Sequence, residues 1–258
     1  MYNWSMYEQK HLSRGGSRRE QEATRLRRNL LMKTDDTLSY QEIVIDGVSQ
    51  NVAIINTDNL DTKKIIAMPG EQVTHGSLVE WMKNIWLVTE KDANNEIYDL
   101  GVMQQCNYLL RWVDADSKQV MERWCVIEDG TKYLTGEYGD RDFIVTRGDS
   151  RIAMTITKDK YSLKFDRNSR FIIDDYGSPS PLAYRLTKPY KLGGSYSENG
   201  VLRFVLTECN TEDDDNLELH IADYYTHFPR TDESGSVILQ PEVIAPGTTK
   251  EDGKKVWI

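Results

Sequence analysis

Cysteine is scarce in this chain of 258 residues: Cys106, Cys125 and Cys209 are far apart, odd in number, and each in or beside an apolar, strand-like run. A disulfide framework wants an even set in a secreted setting, so three buried, reduced thiols are expected. No apolar run approaches the roughly 20 residues of a membrane helix. The start, Met1-Tyr2-Asn3-Trp4-Ser5, lacks the charged and apolar stretches of a secretory leader, so the expected site of action begins in a cytoplasm, with no membrane partner. Nucleotide-binding loops are missing too. Neither GxxxxGKS/T nor GxGxxG occurs, and Gly193-Gly194 has no helix behind it to aim amides at phosphate, so it reads as a turn.

Residues for metal or covalent chemistry are equally thin. Of the four histidines, His220 and His227 flank Asp223, but the spacing matches no zinc pattern. The acidic run Glu212-Asp213-Asp214-Asp215, with Glu218, lacks the glycine of a calcium loop and reads as solvated. No GxSxG elbow is present, and no nucleophile stands out with a base and an orienting group. The expectation is a non-enzymatic protein with no cofactor, no metal and no catalytic residue. With 41 Asp and Glu, a cryptic carboxylate pair remains the weakest alternative.

Aromatic residues are plentiful, with 14 Tyr and 6 Trp, which suit strands and protein interfaces. Charge is uneven. Residues 1–34 carry eight Lys/Arg against three Glu, a net +5; the whole chain is −9, so the remainder is −14. A basic arm on an acidic body suits an acidic partner, including another copy. Within the arm, Ser17-Arg18-Arg19-Glu20 is a capping box. Ala23, Leu26, Leu30 and Leu31 recur at helical spacing, predicting a helix over about 18–33. Its narrow apolar stripe needs a partner surface. The basic residues lack aromatic neighbours, which favours protein docking over direct DNA contact.

From Tyr40 the period changes to two. Strands are predicted on both sides of Asp46-Gly47, over 64–68, on both sides of Met82-Lys83-Asn84, and over 103–113 and 120–127. After a turn-rich stretch at 130–142, short strands resume at 143–146, 151–157, 161–165, 171–173, 182–186, 201–209 and 217–221. Many short strands and one clear helix predict a mainly β chain: an N-terminal helical arm followed by two small antiparallel β-barrel or sandwich domains. The expected limits are 1–38 for the arm, 39–138 and 139–228 for the two β domains, and 229–258 for an extended tail.

Several runs resemble the neck (head–tail connector) proteins of tailed phages and prophages of Gram-positive bacteria. They include Asn51 to Asp58, Met68-Pro69-Gly70-Glu71, Gly76 to Trp81 with Trp86 to Glu90, Gln105 to Trp112, Tyr133 to Tyr138 and Leu182 to Pro189. The resemblance spans about residues 1–228. It implies a virion subunit in a homo-oligomeric ring between the portal or adaptor and the tail terminator or tail tube, closing the head, with passing contact to packaged DNA. It implies no cofactor and no active site. The acidic body would suit a DNA conduit. Candidate partner-docking residues are Arg18, Arg19, Arg25, Leu26, Arg28 and Leu30 on the arm, with Trp81 and Trp86. The alternative is a carbohydrate- or cell-surface-binding β protein of the virion, because exposed aromatics also stack on sugars.

Overall fold

The structure, a computed structural model, describes residues 4–12, 17–33, 37–92, 97–129, 150–190, 199–229 and 243–244. Helix α2 (Arg18–Lys33) has the predicted limits, and its capping box forms in both directions. The Glu20 amide donates to Ser17 Oγ at 3.2 Å, and the Ser17 amide donates to Glu20 Oε2 at 3.1 Å. A shorter helix, α1 (Trp4–Leu12), was not expected. Its one sequence signal is the three-residue spacing of Trp4 and Tyr7, whose rings meet edge-on at 5.9 Å.

The alternation that begins at Tyr40 builds a closed barrel. Strands β1 (Tyr40–Ile45), β2 (Val48–Asn56), β3 (Thr62–Ala67), β4 (Leu78–Trp81), β5 (Asn84–Lys91) and β6 (Leu100–Gln105) pair in the order β1-β2-β3-β6-β5-β4. β4 returns to β1 at Ile45 and Val79, so every neighbouring pair is antiparallel. The inward set is mostly aliphatic: Ile43 and Ile45, Val52 and Ile54, Ile65 and Ala67, closed over by Trp86, Val88 and Met103. Period-two burial is what fixes this register, since a slip of one residue would turn each of these side chains to water.

The second sheet contains β7 (Tyr108–Asp114), β8 (Gln119–Asp129), β9 (Arg151–Thr157), β10 (Arg170–Ile172), β11 (Ala183–Tyr190) and β12 (Val201–Cys209). Its order is β10-β11-β12-β9-β8, with β7 also paired to β8. The sheet curls until β10 nears β7. There the closure is made by side chains: Tyr108 OH donates to the Ile172 carbonyl at 3.0 Å, and Tyr176 OH to that of Leu109 at 2.7 Å. Its core mixes Leu, Ile and Met with an aromatic cluster, in which Phe165 is set edge-on to Trp112, Phe171 and Phe204 at centroid distances of 5.0, 4.9 and 5.8 Å.

The predicted fold class therefore holds, but the expected boundary near 138 moves. The chain changes sheet at Cys106-Asn107, so the strand predicted over 103–113 is two strands in two sheets, and β7–β8 belong to the second unit. Asn107 makes the break: its side chain accepts from the Ile127 amide at 2.8 Å and donates to the Ile127 carbonyl at 2.7 Å, taking the place of a ladder pair. Residues 161–165 form a turn and a 3-10 helix (Ser162–Lys164) instead of a strand. The Asp159 carboxylate accepts from the amides of Tyr161 and Ser162 there, a local bond that competes with a ladder. Residues 217–221 are a turn closed by Asn216 and Ile221, and Tyr224–His227 is one helical turn, α3. Strand β11 runs on through Lys188-Pro189-Tyr190 after a bulge, where a loop was expected. The predicted strand at 143–146, Gly193-Gly194 and the whole of 130–142 lie outside the described residues. So does most of the tail, apart from β13 (Val243–Ile244), which pairs parallel to Val120 and Met121 of β8.

The two sheets share a seam. Leu78 and Leu87 of the barrel pack with Cys106, Val126 and Val201 in one buried cluster. At its edge Gly76 and Gly200 lie backbone to backbone, and a Cβ on Gly76 would stand 2.0 Å from the Gly200 carbonyl oxygen. Thr157 Oγ1 donates to the Gly76 carbonyl across the same joint at 3.0 Å.

Candidate docking surface

The described residues of the arm are largely exposed. On α2, Arg18, Arg19, Arg25 and Arg28 face solvent, Ala23 and Leu30 are half-buried, and Leu26 is 48% exposed. Leu31 and Met32 are 50% and 65% exposed, and on α1 Trp4, Met6 and Tyr7 all exceed 60%. A helix that leaves this much of its apolar side in water gains little from its own chain. Arg27 reaches a shallow hollow with Met68 to Gln72, Lys91 and Ile97 to Asp99, so the contact of α2 with the barrel is local.

The two tryptophans separate. Trp86 is 3% exposed inside the barrel, with Lys63 Nζ 6.0 Å from its ring centroid, so its expected docking role is corrected to a core role: a partner reaches none of it. Trp81 is half-buried at the rim, 5.4 Å from Trp86, with its indole N–H donating to Gln41 Oε1 at 2.6 Å.

Several of the groups weighed for metal or acid–base chemistry have structural partners. His220 is buried, 3.2 Å from Tyr108 OH through Nδ1 and stacked on Tyr176 at 4.5 Å; burial lowers its pKa. Asp223 instead meets Arg170 at 2.7 Å. The acidic run is pinned by the same arginine. Asp215, its side chain fully buried, takes Arg170 in a bidentate pair at 3.0 and 2.8 Å, and also accepts from the Glu212 amide. Arg170 completes the knot by donating to the Asn210 carbonyl at 2.9 Å. This arginine was not singled out in the sequence. Its signal is only an Arg at the start of a short strand ahead of a distant acidic run. Among the described residues no group of three or more His, Cys, Asp or Glu is placed to hold a metal. Cys106 and Cys125 are buried free thiols and Cys209 is half-buried; burial pushes Cys106 up to about 12. No described helix is long and apolar enough to cross a membrane.

A family model, the YomX N-terminal domain, matches residues 20–105, a third of the chain. That family is phage-derived, so the chain is similar to a phage protein over this stretch, with no place in the virion specified. The match starts within α2 and ends on the last residue of β6, where the chain leaves the closed barrel. No curated protein matches, and no solved structure matches.

Proposed function

We propose that the chain is a structural subunit of a tailed-phage neck. It forms a ring between portal and tail that closes the DNA-filled head and gives the tail a platform, with no enzymatic step and no cofactor. The observation that carries this reading is the uncovered basic arm beside an acid-rich body. Similarity to a phage-derived family over α2 and the first barrel supports it. So does the tight seam between the barrels, which suits a spacer more than a hinged binding protein. In a ring, one heterologous contact repeats around a closed axis, and the arm is the element that reaches across it.

The sugar-binding alternative has one observation in its favour, an open hollow lined by Tyr108, Trp124 and Tyr176. Its polar groups are already engaged. Asn107 is held by Ile127, Tyr176 OH by Leu109, and Asp174 by the amides of Asp175 and Leu182. The hollow therefore favours the alternative little.

The deciding experiment is location. Virions carrying a tagged copy of this chain, decorated with gold and imaged, should show label at the head–tail junction. Label on the fibres or baseplate, or none on the particle, would reject the reading. Removal of residues 1–38 should yield heads without tails.

A further inference from the structure

The barrel has two ends, and they differ. At one end lie the start of β1, the end of β2, the turn into β3, the end of β6 and the β4–β5 turn, as the pairs Tyr40 with Ala53, Thr62 with Gln104 and Trp81 with Asn84 establish. Four exposed apolar side chains lie toward this end: Leu38 at 98%, Leu60 at 85%, Met82 at 66% and Ile55 at 42%. Apolar residues scattered singly on a surface need no explanation, but several highly exposed ones set around one end of a barrel give that end an apolar character suited to a partner.

The turn chemistry points the same way. The hairpin at the far end uses Asp46-Gly47, both with positive φ, the residue types that such a turn favours. At the apolar end the same geometry is imposed on Met82 (φ 51) and Lys83 (φ 64), neither of which adopts it readily. The sequence keeps a strained methionine at the tip of this end where Asn or Gly would sit more easily.

We infer that this end of the barrel, Leu38, Ile55, Leu60 and Met82, is an interface that seats against a second copy of the chain. The occupant follows from charge. The +5 arm enters the barrel at this end, leading into β1 with the Tyr40 amide donating to the Thr37 carbonyl. A contact here therefore brings the arm to the same partner. The surface of opposite sign present in every assembly is the −14 remainder of another copy. DNA fits less well, since that acid-rich remainder would face its phosphates. Pairing of β4 with β1 closes the barrel, so the seating is by side chains, with the apolar tips desolvated and the arm alongside. The inference deepens the ring reading and rests on it for the symmetry of the contact.

The test is the mass of the full-length chain by sedimentation over a range of concentration and salt. Self-association that weakens as salt rises is expected. The pair Leu60→Glu and Met82→Glu should weaken it at least about tenfold, with an unchanged thermal melt. Val48→Glu, at the far end and 59% exposed in the native chain, should leave it intact. Should the paired substitution fail to fold, Leu60→Ser with Met82→Asn carries the same expectation. A native chain that stays monomeric throughout overturns the inference, as does a chain that associates only with a portal ring. Equal loss from Val48→Glu, or no loss from the end substitutions, overturns it too. A monomeric chain still found at the neck of labelled virions removes this interface alone; a self-associating chain absent from the neck removes the neck reading alone.

Discussion

The first barrel and the second sheet solve one problem differently. The barrel joins its first strand to its fourth by backbone pairing and fills its interior with Ile and Val. The second sheet stops short of closure, uses two tyrosine hydroxyls where a ladder would run, and sets a cluster of rings among the aliphatic side chains of its interior. It also relies on a buried ionic knot, Arg170 with Asp215 and Asp223, to hold the loop after β12. Backbone closure depends on no single side chain. Closure by side chains concentrates dependence on a few polar residues.

Arg170→Ala should give one of the two largest losses, about 3–5 kcal/mol, because Asp215 is left buried and uncompensated. Hydrogen exchange should rise in 108–228 far more than in 40–105; equal rise in both would break the comparison. Trp86→Ala should cost a similar amount, about 3–5 kcal/mol from the cavity, with exchange rising first in the barrel. Gly76→Ala comes next, at about 3 kcal/mol, since the new methyl meets the Gly200 backbone at a positive φ. Because it acts at the seam, both regions should melt earlier in calorimetry.

Two smaller effects sharpen the contrast. Replacing Met82-Lys83 by Asn-Gly should stabilise the barrel by about 1 kcal/mol, read as a raised denaturant midpoint, while reducing self-association. The smallest effect concerns acid. His75 in the barrel and His220 in the second sheet both have pKa values lowered chiefly by burial. A lowered folded value means the unfolded chain takes up protons first as pH falls. The stability is present in full above the ordinary 6.5 and is lost as the pH drops from there through the lower folded value. His220→Asn should flatten the fall in melting temperature between pH 7 and pH 5; an unchanged slope would show that His220 contributes none of it.

Much of the barrel was legible because its determinants are local. Asp46-Gly47 names its turn, alternation names the faces, and Ser17 with Glu20 names the start of α2. The sheet change at Cys106-Asn107 was not legible, because alternation runs through it without a break. What divides it is Asn107 bonding Ile127, a residue twenty positions on. The strand expected at 161–165 failed for a related reason: Asp159 bonds the next amides locally. For the candidate surface, the arm could be read from charge and period, whereas Trp81 and Trp86 stood together as docking candidates. Trp86 could not be separated from Trp81, since burial depends on which face of β5 turns inward. The placing of Leu38, Ile55, Leu60 and Met82 at one end was out of reach, because it follows from strand pairings between residues distant in sequence.

The backbone meeting of Gly76 and Gly200 has a mechanical consequence. Two barrels joined by a flexible linker would bend under load and dissipate it. Here the main chains touch where a hinge would need clearance, and Thr157 ties them across the gap. A push on the barrel meets the second sheet through this backbone contact, without a gap to close first.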